Sequence, residues 1–368
     1  MNFSKEIDFA KKNYILVASI ILAILSSIFI RPKISYINFR VLIILFCLML
    51  IFSGFNRIKF LDYISISIIS KCKTTRILEF GLVFITFFMA MIVTNDVAVI
   101  IMVPIAILIS KKVKFNILNT IILQDIGANL GSFFTPMGNP RNLYLYSHYQ
   151  LSFLNFIKVT TPYLILSVIF ITALILIQKS ETIKVELEHV KVKNKKEGFI
   201  LAIIFICDLL CVLNIVNDIS ALIITIIVVL IIDIKAFKGV NYKLLLTFIG
   251  FFIFVGNIQS ISEFKIFMEH ILGGRYSTFF LTMISEQIIS GVPTVMMFSH
   301  FTNHYKELIL AINIGSMGTL ISTMANLISF KEYTKVFNNS KKYFKTFTIY
   351  NLIGISLFTC LYLLSTLF

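Results

Sequence analysis

Four polar residues, Asn129, Ser132, Thr135 and Asn142, recur with the same spacing as Asn313, Ser316, Thr319 and Asn326, 184 residues further along the chain. The first copy reads NLGSFFTPMGNPRN and the second NIGSMGTLISTMAN, each inside an apolar stretch. Each carries a Gly two residues after its first Asn and a Leu after its last. Polar side chains and freed backbone groups find no water in hydrocarbon, so they are expensive there. Where they line a shared cavity they become useful. Amides at an exposed helix N-terminus receive an anion, and unwound carbonyls receive a cation. Duplicated broken helices therefore point to a transporter whose two halves build one central site.

Gly131, Gly138 and Pro140 permit an unwound turn in the first copy, with Ser132, Thr135, Asn139 and Asn142 as neutral hydrogen-bonding groups. Gly315, Ser316, Thr319, Ser322, Thr323 and Asn326 do the same in the second. Two further apolar stretches, 77–109 and 276–303, are interrupted by Thr94-Asn95-Asp96 and by Ser290-Gly291-Val292-Pro293. One isolated Ser or Thr would read as a back-bond or a helix-packing contact. The duplicated set reads as a site. The expected substrate- and ion-binding residues are Thr94, Asn95, Asp96, Asn129, Thr135, Gly138, Asn139, Pro140, Asn142, Ser290, Gly291, Asn313, Thr319, Ser322, Thr323 and Asn326.

Charged groups within apolar segments narrow the chemistry. A carboxylate at mid-membrane costs about 2.5–3.5 kcal/mol on insertion scales, so it is expected to have a task. Asp96, at a tip, and Asp125, one turn before Asn129, are the coupling candidates. A buried carboxylate that exchanges a proton near neutral pH is what a proton carrier needs. Asp208 reads as a structural partner for a neighbouring helix, and Glu286 is left open. Arg141 puts a fixed positive charge in the first break, either to attract an anion or to close an ion pair, with Asp96 as the candidate partner.

The elements that must position these residues follow from hydropathy. The chain has 368 residues, 58% of them hydrophobic, and a mean hydropathy of +0.93, which excludes a soluble enzyme. Tyr14 to Ile30 is long enough to remain as a first span, with no small-residue cleavage site after it. Single spans are expected at 14–30, 41–55, 153–177, 199–216, 219–234, 244–258 and 346–367, and broken spans at 117–146 and 308–330. The halves of 77–109 and 276–303 are short for a crossing of a roughly 30 Å core, so both read as re-entrant hairpins. The segment 56–76 is expected along the cytoplasmic interface. With the N-terminus in the cytoplasm, cytoplasmic segments hold 25 of the 33 Lys and Arg and external loops hold 6. The expected architecture is an all-α polytopic membrane protein of nine spans and two hairpins, with an external C-terminus. It divides into an inverted repeat over 1–177, a charged cytoplasmic connector and linking span over 178–218, and a second repeat over 219–368.

Other function classes lack support. The net charge of +15 lies in short loops that set topology, so no nucleic-acid partner is implied. Five cysteines, mostly inside apolar spans, read as small buried hydrophobes. His300 and His304 have an i, i+4 spacing but no adjacent acidic third ligand, so no metal centre is expected. No phosphate loop, zinc-hydrolase or nucleophile-elbow motif occurs, so neither ATP-driven transport nor a membrane enzyme is supported. No cofactor is expected.

The stretches TNDVAVIIMVPIAI (94–107) and GANLGSFFTPMGNPRNL (127–143) resemble the ion-transporter superfamily. That group includes citrate transporters, divalent anion/sodium symporters, arsenite permeases and some sodium/proton antiporters. Its dicarboxylate carriers have a Ser-Asn-Thr tip on each hairpin and a Gly-Thr-Pro-Pro-Asn-like turn in the first broken helix. Thr94-Asn95-Asp96 and Gly138-Asn139-Pro140-Arg141-Asn142 fall at these places. The resemblance implies substrate held between the tips, Na⁺ or H⁺ coupling with Na⁺ near Asn95 and Gly138 to Asn142, a homodimer and elevator-like motion. Asp96 departs from the dicarboxylate pattern, and an Asn-Asp pair at this tip is more like the arsenite-permease relatives. The expected function is a secondary active permease of the cell membrane that moves a small inorganic or carboxylate anion. A sodium/proton antiporter or arsenite-type efflux permease is the alternative, and a passive channel is the rival from another class.

Overall fold

The computed structural model describes residues 13–69, 72–113, 115–183 and 194–367. Residues 1–12 of the expected cytoplasmic N-terminal segment and residues 184–193 of the charged connector lie outside the described residues. The described residues form α-helices and short 3₁₀ turns, joined by one isolated bridge between Thr74 and Thr182. Among the described residues, six helices are long and apolar enough to cross a membrane: Phe39–Arg57, Thr75–Ile92, Phe153–Leu176, the run Asp218–Gly239, Tyr242–Gln259 and Ser340–Leu367. Tyr14–Phe29 is a shorter apolar helix of 16 residues. All five cysteines are free.

Local chemistry sets where these helices begin. Asn38 accepts from the Val41 N–H at 3.2 Å, and Thr74 and Ser152 cap Thr75–Ile92 and Phe153–Leu176 in the same way. Both expected breaks are present. Leu118–Phe133 stops, a 3₁₀ turn runs over Pro136–Gly138, and a new helix, Pro140–His148, starts with Asn139 as its cap. Tyr305–Ile314 likewise stops at the 3₁₀ turn Gly315–Met317, and Met324–Phe337 restarts behind the Thr323 cap.

The interrupted stretches 77–109 and 276–303 form two packed helical pairs, Thr75–Ile92 with Asn95–Val113 and Arg275–Ile289 with Gly291–Phe298. The first pair has arms of 18 and 19 residues, longer than the sequence reading allowed. Thr94 has φ 108° and Ser290 has φ 73°, so each tip holds a hydroxyl residue in a region that favours glycine. Such positions cost of order 1–3 kcal/mol each and persist only where surrounding structure imposes them.

Two sets of helices pack mainly among themselves. Tyr14–Phe29 lies along Tyr242–Gln259, and Phe39–Arg57 lies against Lys195–Val212 and Asp218–Asp233. In this set Asp208 accepts from Thr225 Oγ1 at 3.0 Å, joining neighbouring helices, and Arg57 pairs with Asp233. The second set contains both helical pairs and both broken helices. Thr75–Ile92 packs closely on Leu118–Phe133, where Gly131 meets the backbone of Phe87 and a Cβ would collide with the Phe87 carbonyl.

Candidate functional site

The two copies of the polar pattern lock onto each other through their asparagines. Asn129 Nδ2 donates to Asn326 Oδ1 at 2.7 Å, and Asn313 Nδ2 donates to Asn142 Oδ1 at 2.7 Å. The first Asn of each copy thus binds the last Asn of the other. The last Asn also seals its own break. Asn142 Nδ2 donates to the Ser132 and Thr135 carbonyls at 3.1 and 3.2 Å. Asn326 Nδ2 donates to the Ser316 and Thr319 carbonyls at 3.0 and 2.9 Å, the same offsets. Asn139 and Thr323 cap the restarting helices by accepting from Asn142 N and Asn326 N, at 2.9 and 3.1 Å. These buried amides take over backbone carbonyls that the breaks would leave unpaired.

The tips reach this centre. Asn95 Nδ2 donates to Asn129 Oδ1 at 2.9 Å. The Asp96 carboxylate faces the Ala325 N–H at the start of Met324–Phe337 and lies in the field of Arg141. At the second tip, Ser290 Oγ donates to the Ser322 carbonyl at 3.4 Å, and Gly291 packs so closely on Arg141 that a Cβ would overlap its side chain. The N-termini of Asn95–Val113, Pro140–His148, Gly291–Phe298 and Met324–Phe337 therefore converge on one small volume. Each carries the positive end of a helix dipole.

Arg141 is 4% exposed. Its Nη1 donates to Glu286 Oε1 and, at 3.2 Å, to the Ile312 carbonyl. This corrects the sequence reading, which offered Asp96 as its partner. Glu286 comes from the helix that leads into the second tip and reaches Arg141 across the break, so the closer acid in sequence is not the paired one. Glu286 Oε2 has no hydrogen-bond partner and faces Gly315. Asp125 is fully buried, and neither of its oxygens has a hydrogen-bond partner. The described centre thus sets Arg141 against Glu286 and Asp96, with Asp125 next to Asp96.

Not every expected residue turns toward the centre. Thr135 Oγ1 donates to the Met91 carbonyl at 2.5 Å, binding the first break to the first helical pair. Thr319 is held by Gln287, whose Oε1 accepts from Thr319 N at 2.7 Å while its Nε2 donates to the Gly315 carbonyl at 2.9 Å. Ser322 Oγ donates to the Ser316 carbonyl at 3.0 Å, and Gly138 packs on the Ser132 backbone. Thr94, Asp96 and Pro140 line a cavity of about 210 Å³ whose opposite wall includes Ser53, Asn56 and Asn241. Sequence reasoning missed Gln287 and those wall residues. Gln287 could have been found, because it adjoins Glu286 just before the second tip. His300 packs against His148, with ring centroids 4.7 Å apart and ring planes tilted by 52°. The described residues hold no group of three or more His, Cys, Asp or Glu able to bind a metal ion.

A family model described as citrate transporter matches residues 9–304. The chain belongs to the citrate transporter family. The match takes in both tips and the first break and stops before the second. Among relatives of the family member described here, an uncharacterized transporter of Methanocaldococcus jannaschii is 33% identical over 300 residues, covering 80% of this chain and 81% of that one. The inner membrane protein YbiR of Escherichia coli is 26% identical over 303 residues, 80% of each chain. A Dictyostelium discoideum protein named as transporter arsB is 31% identical over 157 residues, 42% of this chain and 28% of that protein. The citrate transporter family and the Methanocaldococcus and Dictyostelium relatives are named as transporters, and the chain is a transporter rather than an enzyme. Together with the apolar helices, they make this chain a multi-pass membrane transporter.

Proposed function

We propose that the chain is a secondary active carrier for a small anion, a carboxylate or inorganic oxyanion, coupled to Na⁺ or H⁺. The observation that carries this reading is the convergence of four helix N-termini and Arg141 on one buried volume. The excess of Asp96, Asp125 and Glu286 over Arg141 supports coupling, because a buried carboxylate without a partner, as Asp125 is, needs a proton or a bound cation. The reciprocal asparagine bonds support an inverted repeat with one shared site, and the two mutually packed helix sets support elevator-like movement of one against the other. The distribution of Lys and Arg supports a cytoplasmic N-terminus and residence in the cell membrane. Homodimer assembly belongs to the same proposal.

A cation exchanger or arsenite-type permease is the second reading. It is favoured by the unpartnered Asp125 and by the arsB-named relative. Thermal unfolding of the purified protein with a panel of anions and cations discriminates. An anion at about 100 times its Kd should add about 2.7 kcal/mol of stability. Stabilisation by Na⁺ or Li⁺ with no response to any anion would reject the anion carrier.

A further inference from the structure

Arg141 already holds an anion, and that anion is part of the protein. Resting on the anion-carrier reading above, we infer that Glu286 is the resident counter-anion of Arg141 and the proton carrier of the transport cycle. A substrate anion reaches Arg141 only as Glu286 leaves it and takes up a proton.

The argument begins with crowding. Glu286 is fully buried, and Arg141 Nη1 is bonded to its Oε1. A second anion on the same guanidinium would put two negative charges against one positive charge, with no water to screen them. In a low-dielectric interior an uncompensated ion keeps its full desolvation penalty. Neutralising Glu286 removes it. The balance is Glu286-COO⁻···Arg141⁺ plus A⁻ plus H⁺ giving A⁻···Arg141⁺ plus Glu286-COOH. The buried charge is unchanged, and anion and proton enter together.

Position supports the exchange. Oε2, the oxygen without a partner, faces Gly315, where a Cβ would collide with it. Glu286 lies one turn before the positive-φ tip residue Ser290, and Gly291 touches the Arg141 side chain. A shift at that tip would therefore separate the pair.

The other ionisable groups around Glu286 leave Arg141 as its charged neighbour. Gly291–Phe298 and Gly315–Met317 carry no titratable side chain. On Tyr305–Ile314, the groups Tyr305, Lys306 and Glu307 sit at the far end, where Glu307 faces Arg275 and His304. Asp96 acts on Arg141 from the other tip.

The test measures protons taken up per anion bound, by a pH indicator in lightly buffered solution, on the purified full chain. Acetate and nitrate are the probes, at a pH of about 7.5, where each is a fully ionised monoanion. The wild type should take up about one proton per anion. Glu286→Gln, which keeps a neutral group on Arg141, should bind the same anion with no proton uptake. Anion binding by the wild type without proton uptake overturns the inference and leaves the anion carrier standing, even if Glu286→Gln does not fold. Uptake that persists in Glu286→Gln assigns the proton elsewhere and overturns it too. No binding of either probe by the wild type, with cation binding intact, removes both together.

Discussion

Removing Arg141 alone should destabilise the protein far more than removing both members of its ion pair. In Arg141→Met, Glu286 remains fully buried, with Oε2 already without a partner and Oε1 newly so. A charge stranded in this way costs about 3–5 kcal/mol. Glu286→Leu strands the guanidinium, which keeps the Ile312 carbonyl, and should cost about 3 kcal/mol. The double variant strands nothing. It loses the Ile312 bond and some packing, for about 2 kcal/mol. The singles then sum to about 7 kcal/mol and the coupling is about 5 kcal/mol, above the 0.5–3 kcal/mol usual for contacting residues. Denaturant unfolding in mixed micelles, run as a double-variant cycle, measures it. The cost of Arg141→Met should shrink at acid pH, where a protonated Glu286 strands no charge. Additive single variants, with coupling below about 0.5 kcal/mol, would refute the reasoning.

The reciprocal asparagines predict matched losses. Asn129→Ala and Asn313→Ala should each cost about 1–3 kcal/mol and lie within about 1 kcal/mol of each other in the same unfolding assay. Gly131→Ala should cost at least about 2–3 kcal/mol in that assay, because its Cβ meets the Phe87 carbonyl. Gly127→Ala meets mainly the end of a Val83 side chain and should cost less. Asp96→Asn should abolish or uncouple transport while Tm stays within a few degrees of wild type; unchanged coupled transport would remove Asp96 from the mechanism.

Much of the framework was legible because lipid makes polar and helix-breaking residues conspicuous. Gly131, Gly138 and Pro140 marked the first break, and Gly315 through Thr323 marked the second. The tips were legible as polar interruptions of apolar runs. Their arm lengths were not. The run from Thr75 to Ile92 is apolar past Glu79 but for Thr86, and hydropathy alone does not tell a hairpin arm from a full span. Spacing revealed that Asn129 and Asn313 correspond, but not that each binds the far end of the other copy. That pairing depends on how the halves meet. Arg141 illustrates the same limit. Two acids at comparable depth could neutralise it, and only the packing of Arg275–Ile289 on Tyr305–Ile314 brings Glu286 to it.

The central claim, coupled anion transport through a site built around Arg141, is tested most directly by uptake of a labelled anion into proteoliposomes under imposed Na⁺ and H⁺ gradients. The account predicts accumulation driven by one of these gradients in the wild type and none in Arg141→Met. Cation exchange with no anion flux, or undiminished uptake in Arg141→Met, would contradict it.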